Sequence, residues 1–143
     1  MARLLLKVEL VKHEEQHYKT AGDWQIGADG CICIKVSDTG YRMDALLIAL
    51  HEAVEAILCD AHNVLEADVD AFDIAFALEH KLSDEEPGED PLAPYRREHA
   101  VADAVERIVA VAADECWREY SGRVDALFEE KKWGTKLQAG SVA

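Results

Sequence analysis

One stretch of the chain, from about Tyr41 to Cys59, restricts the fold more than any other, because its spacing predicts a long helix that is apolar nearly all round. At about 100° per residue, large apolar side chains cover a wide arc of this helix, and Ile48 lies on the far side. The arc consists of Met43, Leu46, Leu47, Leu50, Val54, Ile57 and Leu58. Such a helix has to be covered by other elements, so we expect it to run through the centre of the protein.

The polar side chains of this helix fall in one narrow sector, which contains Asp44, His51, Glu52 and Glu55. Ionisable groups on a buried helix are costly unless they are paired or bound to a cation. His51 and Glu55 are separated by one helical turn and can therefore bind the same ion. Glu52 lies beside His51, where it could act as a general base on water. The sequence His51–Glu55 thus has the form of the H-E-x-x-H zinc helix with a glutamate in the last position.

A third protein ligand is needed for a catalytic zinc site, and three residues are candidates for it. His62 follows His51 by 11 residues, but the segment between them lacks the glycine that a sharp turn needs. Glu98 lies at the edge of the predicted apolar stripe of a later helix, formed by Val101, Val105, Ile108, Val109 and Ala112. His99 lies on roughly the opposite side with Asp103 and Glu106, which could equally be a solvated face. We favour His99, because it completes a set of two histidines and one carboxylate, and we rank Glu98 second.

A literal H-E-x-x-H sequence occurs between His13 and His17, and we interpret it as a solvated turn. Its interior residues are charged or polar, and it directly follows a predicted strand. Nothing apolar in this segment would bury a helix, so a metal site is not predicted here.

The remaining pattern predicts an α+β fold in a single domain of residues 1–143. An antiparallel sheet of about three strands occupies residues 3–37, with Leu4, Leu6, Val8 and Leu10 on one face of its first strand. Three to four helices follow within residues 41–132. They include one that starts near Leu65, one from Pro94 to about Tyr120, and a short one from Arg123 to Lys132. An acidic, proline-rich loop spans residues 83–94, and a frayed tail covers 134–143.

The charge balance narrows the classes of partner. The chain has 15 basic and 29 acidic residues and a formal charge of −14, which disfavours nucleic acids and anionic membranes. No apolar run approaches the roughly 18 residues of a membrane span. The apolar segment at the start is too short and too charged for a signal peptide, so we expect a cytoplasmic protein.

Two stretches carry a resemblance, Ala49–Ala56 with the His-Glu sequence, and Glu86–His99 with its Pro-Gly-Glu-Asp-Pro segment. Together with Val69–Asp73, they resemble a group of small proteins encoded by bacteriophages and prophages, over roughly residues 23–120. The resemblance implies a bacterial host cell and no particular activity. In the order of its elements and in His51, Glu52 and Glu55, the chain is also similar to a minimal zincin-type metallopeptidase.

These observations lead to one favoured hypothesis and two alternatives. The favoured one is a zincin-like, zinc-dependent hydrolase that acts on a peptide or protein, with Glu52 activating water and His51, Glu55 and His99 or Glu98 holding the ion. The first alternative is a non-catalytic phage accessory or host-interaction protein with a structural His/Glu site. The second is an all-helical nucleotide hydrolase that binds magnesium through Glu52, Glu55, Asp103 and Glu106, which the predicted strands of the first half disfavour. The sequence does not predict the oligomeric state.

Overall fold

A computed structural model describes residues 1–80 and 85–129, and it has the predicted α+β architecture. Within those residues, three strands precede four helices. The strands are β1 (Leu6–Val11), β2 (Gly22–Ile26) and β3 (Ile32–Ser37), and the helices are α1 (Arg42–Ala61), α2 (Glu66–Glu79), α3 (Arg96–Ala112) and α4 (Trp117–Asp125). Short 3-10 turns lie at His13–Glu15, Pro87–Glu89 and Ala126–Phe128. The predicted tail at 134–143 lies outside the described residues.

The sheet has the order β1-β3-β2 and is mixed, so the prediction of an antiparallel sheet is correct for only one of its two strand pairs. β2 and β3 form the predicted antiparallel hairpin, in which Gly30 takes a positive φ of 81° that suits glycine. β1 pairs with β3 in parallel, because the chain after β1 crosses to the far edge of the sheet before β2 begins. β3 therefore becomes the central strand.

Helix α1 forms the centre of the protein, as its apolar circumference predicts. It packs on β2 and β3 on one side and against α3 on another. Ile34 and Val36 of β3 and Leu47, Ala56 and Cys59 of α1 are all nearly inaccessible to solvent and form the middle of the core. This packing fixes which sector of α1 can meet α3, and that sector carries the polar residues.

Helices α1 and α3 both end in a Schellman motif, with a polar residue in the left-handed conformation just after the helix. Asn63 has a φ of 56° and Asp114 a φ of 60°, and the next amide in each case bonds a carbonyl five residues earlier. The prediction of one helix from Pro94 to Tyr120 is therefore wrong, because the turn at Asp114 ends α3. The predicted short helix from Arg123 is also wrong, since Ser121-Gly122 lies inside α4 and does not interrupt it.

The orientation of α3 differs from the one expected from its apolar stripe, although Glu98 at the edge of that stripe is buried. Its buried face consists of Glu98, His99, Ala102, Glu106 and Ala110. Val101 and Ile108 of the predicted core stripe are 47% and 68% exposed. The first strand departs from its prediction in the same way, because Leu6, Val8 and Leu10 of β1 are all exposed.

Candidate metal centre

Two histidines and one glutamate meet where α1 and α3 cross. His51 and Glu55 come from successive turns of α1, and His99 comes from the first turn of α3. Glu55 Oε2 lies 3.3 Å from His51 Nε2 and 3.0 Å from His99 Nδ1. All three side chains are buried, and their facing atoms lie close enough together to hold one metal ion.

Each of these three side chains also forms a hydrogen bond with a further polar side chain, on the side away from the other two. The other ring nitrogen of His51, Nδ1, donates to Glu106 Oε2 at 2.8 Å. The remaining nitrogen of His99, Nε2, lies 3.1 Å from Glu86 Oε2 and 3.4 Å from Asp103 Oδ2. The indole of Trp24 donates to Glu55 Oε1 at 3.0 Å. Tyr120 in turn donates its hydroxyl to Glu106, so this support extends to α4.

Two other groups of side chains could hold an ion, and both share a histidine with the first. One contains His51, Asp103 and Glu106, and the other contains Glu86, His99 and Asp103. Both use the ring nitrogen that points away from Glu55. Metal-binding histidines donate their second N–H to a carboxylate or carbonyl, which fixes the ring. If His51 and His99 bind an ion through the nitrogens that face Glu55, the acids of the other two groups become the acceptors for their second N–H.

Two of the three separations between the facing atoms match a small four-coordinate ion. Bonds of about 2.0–2.1 Å at tetrahedral angles place neighbouring ligand atoms about 3.3 Å apart. The two separations from Glu55 Oε2, 3.3 and 3.0 Å, are close to that value. The facing nitrogens of His51 and His99 lie within 4.8 Å of each other, so the three atoms can surround one ion.

The pKa values show that protons on the two histidines compensate part of the carboxylate charge in the absence of a metal ion. Burial would lower the pKa of His51, but the hydrogen bonds to Asp103, Glu106 and Glu55 raise it well above its ordinary value. Burial opposes the charged form of His99 too, yet its bonds to Glu55 and Glu86 raise its pKa to about 10. Burial would raise the pKa of Glu55, whereas the two imidazoles bring it down to about 2. Both histidines are therefore cationic at neutral pH.

Even with both histidines protonated, acidic groups outnumber cations at this site. The carboxyl groups of Glu52, Glu55, Glu86, Asp103 and Glu106 surround two imidazoles. In the described part of the chain, no lysine or arginine forms an ion pair with any of these groups. Buried carboxylates need compensating positive charge, so the site is suited to a divalent cation.

Glu52 lines the same cavity, of about 210 Å³, as His51, Glu55 and His99. Burial and the neighbouring carboxylates of Glu55 and Asp23 raise its pKa well above the usual range, although His51 opposes the rise. Gly22 permits this position, because a Cβ there would lie 2.6 Å from Glu52 Cγ. Within residues 1–80 and 85–129 no hydrogen bond to the Glu52 carboxyl occurs, which leaves it available to a molecule in the cavity.

No protein-family model, curated protein or solved structure matches this chain. Within the described residues, no helix combines the length and the apolar character needed to cross a membrane. The site therefore has to be interpreted from its own geometry.

The structure separates the candidates for the third ligand. His99 faces His51 and Glu55, whereas Glu98 accepts a hydrogen bond from His62 at 2.8 Å and belongs to none of the three groups. His62 and Glu98 thus bond each other at the end of α1. The turn at His13–Glu15 contains no member of a metal-binding group, and its His13 bonds Ser37 at 2.8 Å.

Several supporting residues were not singled out by sequence reasoning. Trp24, Glu86 and Tyr120 come from β2, the acidic loop and α4, and their spacing along the chain has no relation to His51. Asp103 and Glu106 were recognised as a cluster but could not be distinguished from a solvated face. A reading of α3 that gave its His/Asp/Glu face priority over its apolar stripe would have found them.

Proposed function

We propose that this protein is a zinc-dependent hydrolase in which His51, Glu55 and His99 hold the ion. The observation that carries the proposal is that every one of these three side chains has a second polar partner on the side away from the site. Outer partners of this kind orient metal ligands and make the imidazoles better donors. Two histidines and one carboxylate form a donor set of catalytic zinc sites, which leaves a fourth position for water or substrate.

Glu52 is the proposed general base. A zinc ion polarises a water molecule and the substrate carbonyl, which makes the water easier to deprotonate. Glu52 follows His51 directly on α1 and opens into the same cavity, so its carboxylate can take a proton from that water. Its raised pKa brings proton uptake closer to neutral pH, and the same group can then pass the proton to the leaving amine.

The proposed substrate is a peptide or protein with a neutral or cationic group at the cleaved bond. A cavity of about 210 Å³ accommodates one side chain and not a large ligand. Asp23, Asp70 and Asp73 line it beyond the ligand group, and this acidic wall repels phosphates. Because nucleotides carry phosphates, the same acidic wall disfavours the alternative hypothesis of a magnesium-dependent nucleotide hydrolase. We place this activity in the cytoplasm of a bacterial host cell, in line with the phage resemblance.

The first test is metal content, measured by elemental analysis after tag-free protein is equilibrated with zinc and dialysed. We expect about one zinc per chain, lost in His51→Ala and in His99→Ala. His62→Ala is the matched control, because His62 ends the same helix and bonds an acid of α3 but lies outside the ligand group. Zinc binding that persists in His99→Ala would contradict the proposed ligand set.

The second test separates metal binding from catalysis with Glu52→Gln. This variant keeps the size of the side chain and should retain zinc and folding, while cleavage of a peptide library falls at least 100-fold, within the range of general-base effects. Cleavage is measured by mass spectrometry, with zinc-loaded wild type beside it. Equal cleavage by wild type and Glu52→Gln would contradict the role of Glu52.

A non-catalytic role is the second candidate, and one observation favours it. The four ring nitrogens of His51 and His99 each lie within 3.3 Å of a carboxylate oxygen, so the network is complete without an ion. In this case the His/Glu cluster is a structural network and the acidic surface contacts a host protein. A fully folded wild type that binds no zinc at neutral pH supports this candidate against the hydrolase.

A further inference from the structure

The outward side of α3 carries exposed apolar residues along its length, with Arg97 and Arg107 exposed beside them, although most helices present such a stripe to the core. Val101, Ile108 and Val111 are 47%, 68% and 62% exposed, and the small residues Ala104 and Ala112 lie between them. The polar side of α3 faces inward because it supplies His99 and Glu106 to the site. In the described residues, nothing covers the opposite side.

Large apolar side chains are also exposed on α1 and β1. Helical geometry places Leu46 and Ile57 on the side of α1 away from its polar sector, and they are 45% and 54% exposed. Leu6, Val8 and Leu10 pair with Ile32, Ile34 and Val36, so they share the face of the sheet on which α1 packs. α1 covers β2 and β3, which leaves this row of β1 exposed. We call the combined surface the apolar back surface; it consists of Leu6, Val8, Leu10, Leu46, Ile57, Val101, Ile108 and Val111.

We propose that the apolar back surface is the dimer interface through which this chain binds a second copy of itself. Its eight large side chains, at roughly 90 Å² each and with the alanines between them, expose about 800 Å², the area that one partner contributes to a standard interface. A surface that is used by both copies about a two-fold axis needs no other protein to cover it. In the dimer, the α1–α3 pairs of the two copies form one helical layer of the combined core.

Charge also favours the back surface as the contact between copies. The chain carries a formal charge of −14, so two copies repel each other over most orientations. None of the eight residues of the back surface is charged, and the acidic residues of the candidate metal groups lie on the inward side of α1 and α3. Pairing through the back surface therefore buries apolar area and keeps the acidic cavities of both copies open to solvent.

The oligomeric state tests this inference, and sedimentation equilibrium of the full chain at about 20 µM measures it. We expect a dimer for the wild type and a monomer for Ile108→Lys and for Val8→Lys, since each change places two like charges in a desolvated interface. The expected increase in the dissociation constant is at least 100-fold. Both positions are exposed in a single copy, so the variants should fold, which circular dichroism and zinc content verify.

Leu78→Lys is the matched control. Leu78 lies on α2, is 66% exposed and lies outside the back surface, so this variant should remain a dimer. A monomeric wild type would overturn the inference. A dimer that persists in Ile108→Lys or in Val8→Lys would overturn it equally.

Discussion

Zinc binding should displace about two protons from this protein at pH 7.5, because an ion takes the place that protons hold in the metal-free site. Burial works against the charged imidazoles, but the surrounding carboxylates raise the pKa of His99 to about 10 and that of His51 well above its ordinary value. Both rings therefore carry a second proton at pH 7.5. Two ordinary histidines with a pKa of about 6.5 would together release only about 0.2 protons at this pH.

Isothermal titration calorimetry in phosphate, HEPES and Tris measures the released protons, since the apparent enthalpy varies with the ionisation enthalpy of the buffer. The affinity should also rise with pH, about tenfold for each unit up to roughly pH 9 from the proton on His99, and more steeply where His51 still carries its own extra proton. His62→Ala provides the control, because the loss of this imidazole should change neither the number of released protons nor the pH dependence of the affinity. Release of fewer than about 0.5 protons per bound zinc would refute the argument that carboxylates hold both rings in the charged form.

Four further predictions concern stability and the support of the site. Gly88→Ala should lower the free energy of unfolding by about 1–3 kcal/mol and weaken zinc binding at least tenfold, because a Cβ there overlaps the His99 ring; urea titration and zinc binding measure both. Gly122→Ala, with no atom near its added Cβ, should instead stabilise α4 by about 0.5–1 kcal/mol. Arg123→Ala should cost about 3 kcal/mol in urea unfolding, because it leaves Asp44, which is fully buried, without the guanidinium that bonds both its oxygens. The pKa of His99 is about 10 in the folded state against 6.5 in the unfolded state, so its contribution to folding stability is complete below pH 6.5 and is lost as the pH rises to 10. The free energy of unfolding of the metal-free protein should therefore fall over this range, and it should fall less steeply in His99→Gln.

The α+β class and the central position of α1 could be predicted from sequence, because both depend on local periodicity. The stretch from Arg42 to Ala61 is long, strongly apolar and without an internal break, so its pattern leaves little choice. The β2–β3 hairpin was predictable for a similar reason, since Gly27–Gly30 connects two apolar runs. Its turn contains Gly30 with the positive φ that such a connection needs.

The pairing of β1 and the limits of α3 and α4 depend on interactions that the local pattern does not contain. Parallel pairing of β1 with β3 requires the ten residues between β1 and β2 (12–21) to cross to the far edge of the sheet, and this segment has no apolar periodicity of its own. Asp114 ends α3 by adopting a left-handed conformation, yet aspartate occurs far more often in other conformations. Ser121-Gly122 predicts a break in the helix, although α4 tolerates Gly122 at a cost of about 1 kcal/mol.

The part of the candidate metal site that lies within one helix could be predicted to come together. His51, Glu52 and Glu55 are close in sequence, so helical geometry alone places them together. Residues of α3 could be proposed as ligands, but the sequence does not predict which face of α3 is buried, because the apolar stripe and the His/Asp/Glu face lie on different sides of the helix. Trp24, Glu86 and Tyr120 are brought to the site by the tertiary fold, and a single sequence contains no record of that proximity.

The orientation of α3 follows from the relative cost of its two faces. An exposed valine or isoleucine forgoes about 1.5–3 kcal/mol of burial. A buried His51 or Glu55 without a partner costs several kcal/mol, because an unpaired charge in the interior has lost its hydration. α1 brings both of these residues into the core, so α3 is stabilised most by turning His99 and Glu106 toward them. Its apolar stripe is then left outside, where a second copy of the chain can bury it. The inward polar face and the outward apolar face of α3 thus have one physical cause, the narrow sector of ionisable side chains on α1.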